Sequence, residues 1–577
     1  MTRISLRLTL LSAVALVPAL LGAQDAPKPT PVPVVSPPVS TLPLKRAPQP
    51  TKAAISVQDL MTRLYIFADD SMMGRDAGTK GNLMGTDYLA SEVKRIGLVP
   101  MGENGTYFQT LPLKDRSFDP RSSLSAGGAS LAYGKEWIAL GRATLNMPDL
   151  DVVFGGMLGD TARLSAEQAA GKLVVIGVPL NNQAINRAIV GTGVVPAGAA
   201  AVMLVMPPTV LPAIQNAMST QLKMFTDDGS TETRIFLAAT AVNKVFVKPL
   251  DSLTLGESGA KVQLNSVITA TPIQFPARNV IALLPGSDPK LKKQYVAVGA
   301  HNDHIGLSRK AFDHDSMRFM THIVRPGGAE DGQKQASADQ QTEINALLAD
   351  WRKTHPTRMD SIYNGADDDG SGSVSVLEIA EYMSSLKVKP KRSMLFVWHV
   401  GEEKGLWGSE WFTDHPTVPR DSIVAQLNMD MVGRGNAWDV TGASKEGAVL
   451  HGSTDYLQVI GSRRLSTELG DLVEKVNTKG KHNFKFDYSL DANGHPMNIY
   501  CRSDHYEYAR YGIPIAFFTT GGHSDYHQLT DEPQYIDYPH MMRVAKMVSD
   551  AAMTLGNLDH RVVVDQAKPN PKGVCQQ

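Results

Sequence analysis

Histidines and carboxylates recur at the ends of apolar runs in this 577-residue chain. Tyr295–Ala300 (YVAVGA) leads into His301-Asn302-Asp303, Ser393–Val400 (SMLFVWHV) into Gly401-Glu402-Glu403, and Ile423–Met429 (IVAQLNM) into Asp430. Two further groups stand in loops: Asp367-Asp368-Asp369 within NGADDDGSG, and His523-Ser524-Asp525-Tyr526-His527. Taken singly, each has a plain reading. A His near an Asp suits a surface pair, three aspartates before glycine suit a turn and helix cap, and Glu402-Glu403 suits a solvated face. The recurrence points elsewhere, because acidic and imidazole groups at three strand ends are costly to bury unpaired and a bound cation satisfies them together. Imidazole plus carboxylate without thiolate suits zinc, with cobalt or manganese as substitutes. HExxH is absent, which excludes a single-helix zincin.

The elements that must position these groups are short buried strands alternating with helices. Asn279–Leu284 (NVIALL) and Ile513–Thr519 (IPIAFFT) complete a set of five strand-like runs. Helical spacing is clear at Val374–Leu386, where Leu377, Ala380 and Met383 share a face, and at Asn82–Ile96, with Asn82 as the expected cap and Gly97 and Pro100 as the stop. The pattern predicts an α/β fold with a mostly parallel, mixed central sheet and helices on both faces. In such a sheet, ligands gather beyond the carboxyl ends of the strands, where these polar groups fall.

Residues 125–265 have a different texture. Lys172–Val178 (KLVVIGV) and Ala199–Met206 (AAAVMLVM) read as short buried strands, and no catalytic constellation accompanies them. This stretch is expected to be an inserted β-rich domain, flanked by segments 51–124 and 266–577 of the main domain. At the N-terminus, Arg3 and Arg7 precede the apolar run Leu8–Leu21 and the small pair Gly22-Ala23, the pattern of a secretory signal over 1–23. No cysteine follows that run, so a lipid anchor is not expected. Residues 24–50 are proline-rich and read as an extended linker. Export to a periplasmic or extracellular location is expected, with no membrane insertion after cleavage. A net charge of -1 gives no global case for nucleic acid. The two cysteines, Cys501 and Cys575, could pair, and the sequence leaves this open.

GAHNDH, NGADDDGSG, GEEKGLWGS, LNMDMVG, RSDH and HSDYH stand in the order found in M28 metallopeptidases, which the chain resembles over nearly all of its expected mature length. MGRDAGT and GTYFQ resemble that family's N-terminal segment, and the inserted region resembles a protease-associated (PA) domain. The resemblance implies a two-zinc aminopeptidase acting on peptides with a free N-terminus. Carried over residue by residue, Asp367 would bridge two zinc ions. His301 and Asp430 would complete one site and Glu403 and His527 the other, with Glu402 as general base. Asp303 would accept a hydrogen bond from the His301 imidazole, and Asp368 would join Asp367 through the family's cis bond. Tyr500 and Tyr526 are rival candidates for the group facing the oxyanion. His304, His399, His505 and His523 read as supporting or core histidines, and Ser503-Asp504-His505 is not expected to converge as a triad. A carboxypeptidase or dipeptidase on the same scaffold, and a non-catalytic receptor with a PA domain, remain as alternatives. Leu307–Tyr363 separates His301 from Asp367 more widely than in simpler members; it would either wall the pocket or be a neutral surface loop.

Overall fold

The computed structural model describes residues 40–577 except 120, 141–143, 181–183, 186–187, 189–195, 208–209, 212–221, 226–233 and 333. The expected signal over 1–23 and the linker up to residue 39 lie outside the described residues. The described residues form two compact units, one of Pro112–Ile273 and the other of residues 40–111 together with Gln274–Gln577.

The Pro112–Ile273 unit is wider than the expected 125–265. Leu113–Phe118 and Ile268–Pro272 pair antiparallel with one another, which places both flanks inside the unit. Its core is an eight-stranded sheet in which Leu173–Gly177, Ala201–Met206 and Arg234–Ala238 run parallel and are buried throughout. Continuous apolar runs are what strands covered on both faces require.

The second unit is built on a nine-stranded sheet. Its strands are β1 (Val99–Pro100), β2 (Phe108–Thr110), β3 (Arg278–Leu284), β4 (Tyr295–His301), β5 (Ser393–His399), β6 (Ile423–Met429), β7 (Tyr456–Ile460), β8 (Lys485–Asp487) and β9 (Ile515–Thr519). The order is β1-β3-β5-β4-β6-β9-β7-β8, with β2 also on β3. The central four, β5-β4-β6-β9, are parallel, while β3 and β7 run antiparallel to their neighbours β5 and β9. The sheet is therefore mixed, and every residue of β5, β6 and β9 is buried.

Register then places the polar strand ends. His301 pairs with His399, and Gly299 with Asn428. Counting on by two sets Asp430 level with His301, while Glu402 lies three residues beyond His399. Three chemically active side chains thus leave one edge of the sheet because three parallel strands end there together.

Helices α1 (Val57–Phe67), α2 (Lys80–Ile96), α3 (Gly372–Ser385) and α4 (Tyr538–Asn557) pack on the sheet. The Thr79 side chain caps α2, and Gly97 at φ 84 ends it with N–H bonds back to Lys94 and Val93. Asn82, the expected cap, sits inside the helix, buried, and donates to the Asn302 side chain at 2.8 Å. It therefore ties α2 to the loop after His301.

Between α1, α2 and α3 lies a buried ion network. The fully buried Arg63 guanidinium donates to Glu378 (2.6 Å), Glu92 (2.8 Å) and Glu381. Burial pushes the Glu378 carboxyl up to about 8 even with Arg63 beside it. Removing one partner of such a pair leaves an uncompensated buried charge, which costs about 3–5 kcal/mol. Arg63→Met is expected to lower stability by that order at pH 9, where Glu378 is ionised, and by less at pH 6, where it can take up a proton. Denaturant titration at the two pH values checks this.

Candidate metal centre and its supports

The turn before α3 decides which aspartate faces the cleft. Asp369 turns its carboxylate back to accept the N–H groups of His301 (3.0 Å), Gly372 (2.9 Å) and Met431 (3.2 Å). Asp367 accepts the Gly433 N–H at 2.6 Å and lies 3.1 Å from His523. The middle carboxylate, Asp368, is left for the cleft. Its Oδ1 is 3.1 Å from His301 Nε2, and its Oδ2 is 2.9 Å from His527 Nε2 and 3.7 Å from His304 Nδ1. The shared position expected for Asp367 therefore belongs to Asp368, and the cis bond joins Asp368 to Asp369.

Two sets of donor atoms gather around Asp368, each within 4.8 Å of one another: His301, Asp368 and Asp430, and His304, Asp368, Glu403 and His527. His301 Nε2 lies 3.6 Å from Asp430 Oδ1 and 4.0 Å from Glu402 Oε2, yet this buried nitrogen has no hydrogen-bond partner. Imidazole nitrogens and carboxylate oxygens converging in this way are what ligands of a cation look like, and the residues present fit a metal on that ground. In the second set His527 Nε2 is 3.0 Å from Glu403 Oε2, and His304 Nδ1 is 2.8 Å from Glu403 Oε1. His304 stands closer to the cleft than a distant support. Its motif, GAHNDH, carried the signal, but an HxxH spacing on a loop does not say which imidazole turns inward.

Burial alone would lower the His301 pKa, but Asp430, Asp303 and Asp368 hold it well above the ordinary value. Burial would raise Glu403, and its two histidine partners bring it down to about 2. Glu402 belongs to neither donor set. Burial first, then the negative charges of Asp430, Glu403 and Asp504, raises its carboxyl well above the usual range. The His301 ring's Nδ1 makes its hydrogen bond to the Asp303 backbone carbonyl at 3.1 Å, while the Asp303 carboxylate lies 3.7 Å from that nitrogen, near enough to act through its charge. The carboxylate accepts the N–H groups of Gly401 (2.7 Å) and Glu402 (3.2 Å), fixing the loop that carries Glu402.

Asp531 supplies a support that carried no signal in the sequence. Its carboxylate accepts the N–H groups of Asp367 (3.0 Å) and Asp368 (3.1 Å), and its carbonyl accepts that of Ala366. The loop bearing His527 is thereby stitched to the turn bearing Asp368. Ser503 donates to Asp430 Oδ2 at 2.7 Å, His399 pairs with Tyr508 at 2.9 Å, and His505 bonds the Tyr500 carbonyl, so Ser503-Asp504-His505 does not converge. The structure does not bring Tyr500 to the cleft. It is buried under the Arg464 guanidinium, 4.5 Å from its ring centre. The ring of Tyr526 lies 4.1 Å from that of His527, and its hydroxyl feels the charges of Asp368 and Glu403. Cys501 and Cys575 form a disulfide.

Residues 279–552 match the model of Peptidase family M28. Leucine aminopeptidase 1 of Pyrenophora tritici-repentis is 25% identical over 351 residues, covering 59% of this chain and 70% of that protein. Leucine aminopeptidase 1 of Paracoccidioides brasiliensis is 32% identical over 192 residues, 32% of this chain and 44% of the relative. Among solved structures, the aminopeptidase from Aneurinibacillus sp. strain AM-1 is 16% identical with a TM-score of 0.47, covering 89% of this chain and 97% of that one.

The long segment between His301 and the aspartate turn is docked beside the cleft. Leu307–Asp313 and Met359–Ile362 pair as a two-stranded ribbon, with helices His314–Val324 and Ala338–Trp351 between them. Glu532, next to Asp531, receives the Arg358 guanidinium on both oxygens and lies 2.8 Å from His314 Nε2. Gly328, at φ +60, runs so close that a Cβ there would stand 2.7 Å from the carbonyls of His523 and Tyr526.

Burial would raise Glu532, but its bonds to Arg358 and His314 outweigh that and hold it at about 2, against 4.5 when free. The stability it contributes is full above about pH 4.5 and is lost as pH falls toward 2. Backbone amides of 314–358 are therefore expected to exchange hydrogen faster below pH 4.5, after correction for the intrinsic rate. Peptide-resolved hydrogen exchange measures this.

Proposed function

We propose that this chain is a secreted aminopeptidase that holds two zinc ions and hydrolyses the N-terminal bond of peptides with Glu402 as general base. One observation carries the reading: Asp368 divides its two oxygens between two donor sets, while Glu402 stands beside them and joins neither. His301, Asp368 and Asp430 would hold one ion, and Asp368, Glu403 and His527 the other, with His304 orienting Glu403. The imidazole-carboxylate donor set favours zinc. When bound, the pair would acidify the attacking water, polarise the scissile carbonyl and offer a position to the substrate's α-amine.

The chain's own residues do the rest. Glu402 accepts the proton of the attacking water and returns it to the nitrogen of the leaving amine. Asp303 keeps the Glu402 carboxyl in place through the N–H groups of Gly401 and Glu402. The Tyr526 hydroxyl is the candidate donor to the developing oxyanion. The names of the fungal relatives support the aminopeptidase reading over a carboxypeptidase. The N-terminal pattern and the disulfide both support export, and among the described residues no helix is long and apolar enough to cross a membrane. The unit Pro112–Ile273 is proposed as the PA domain, on its β-rich core and its place in the chain.

Purified protein should carry two zinc equivalents and hydrolyse aminoacyl-nitroanilides, and a chelator should abolish that turnover until zinc is returned. Glu402→Gln should keep both equivalents and lose about 10²–10⁴ in kcat. Near-wild-type turnover by that variant would remove the assigned base. Metal content should also separate the neighbouring aspartates: Asp368→Asn should lose zinc, and Asp367→Asn should retain it. The reverse order would return the shared position to Asp367.

A further inference from the structure

Arg502 stands where the two donor sets meet. Its neighbour Ser503 bonds Asp430 of one set. Its own guanidinium Nη2 lies 3.3 Å from the Tyr526 hydroxyl, one residue before His527 of the other. The Glu402 carboxylate is close enough for its charge to favour the arginine's.

Other cations at this end of the sheet are committed inward. Lys404 pairs with Asp76 at 2.9 Å, and Arg434 with Asp525 at 2.8 Å. Arg502 differs. Its carboxylate partner is Glu330, 2.6 Å away on the inserted segment, and the two side chains are 38% and 35% exposed. Both bonds drawn from the guanidinium use Nη2. Nε and Nη1 therefore keep no protein partner among the described residues. An ion pair this open to water is weakly held and exchanges readily. A guanidinium fork matches a carboxylate better than any other common group.

We propose that Arg502 is a specificity-determining residue that receives a carboxylate of the substrate, and that Glu330 occupies that place in the substrate's absence. The proposal rests on the aminopeptidase reading above. Two sources present this chemistry: the α-carboxylate of a dipeptide, and an acidic side chain following the scissile bond. In both cases the insertion tunes substrate choice by offering Arg502 a competitor.

The test compares leucyl-glycine, leucyl-glycinamide and leucyl-aspartyl-amide on the zinc-loaded protein. The wild type should favour a carboxylate-bearing substrate over the neutral amide by about 10-fold or more in kcat/KM, expressed mainly in KM. Preference for leucyl-glycine identifies the α-carboxylate, and preference for the aspartyl substrate identifies the side chain. Arg502→Gln should bring the ratio close to one, while Arg502→Lys should keep part of it. Glu330→Gln should raise the ratio, because the competitor is gone. Opposite movement in the two variants is a result that damaged folding does not produce. A wild-type ratio near one, a ratio unmoved by Arg502→Gln, or a fall with Glu330→Gln would overturn the proposal while leaving the aminopeptidase reading intact. Failure to hydrolyse any of the three would instead overturn the reading on which it rests.

Discussion

Carboxylates repel one another most strongly where water is thinnest, and the C-terminal edge of this sheet concentrates them there. Asp303, Asp368, Asp369, Glu403 and Asp430 are buried within a few ångströms of His301 and His304, with Glu402 at their rim. The structure keeps such a group together by dividing the charge into two classes. Asp303 and Asp369 are neutralised locally by aimed backbone N–H groups. Asp368, Glu403 and Asp430 point at imidazoles and at each other. The first class makes the second possible, because it fixes the loops that hold the remaining charges in apposition. An arrangement of this kind needs positive charge close by to be stable.

The same division explains why the loops are so closely interlocked. Asp531 reaches back to three consecutive amide groups of the aspartate turn, and Ser503 fixes the free oxygen of Asp430. Each side chain of the centre therefore leans on a segment remote from it in sequence. The inserted segment joins this network through Glu532, the residue after Asp531, so that segment and centre share one anchor point.

Much of this was legible before the fold was known, and the failures share a cause. The central strands were readable because strands covered on both faces must be continuously apolar, and the polar residues at their ends then stand out. The same logic exposed His301, Glu402, Glu403 and Asp430. It could not rank three adjacent aspartates, since the outcome depends on which N–H groups reach Asp367 and Asp369, and those belong to Gly433, His301, Gly372 and Met431. Asp303 does lie beside the imidazole two residues away, but the hydrogen bonds of its carboxylate go to the loop after the neighbouring strand, which no local spacing announces. Tyr500 and Tyr526 were indistinguishable, because burial under Arg464 is a tertiary fact. Asp531 was silent: a lone acidic residue in a loop has no periodicity and no motif, and only its distant partners give it meaning. The boundaries of the Pro112–Ile273 unit escaped for a similar reason, since the strands at its flanks are defined by pairing with each other across 150 residues.

The bond between Cys501 and Cys575 joins positions 74 apart, and it fastens the segment immediately before Arg502 and Ser503. Gln577 reinforces the tether by accepting the Tyr500 N–H at 2.9 Å. The support beneath Asp430 is thus completed by a covalent link that forms only where thiols are oxidised. A chain still inside a reducing compartment would lack that fastening, so final assembly of the cleft is tied to the redox conditions met after synthesis.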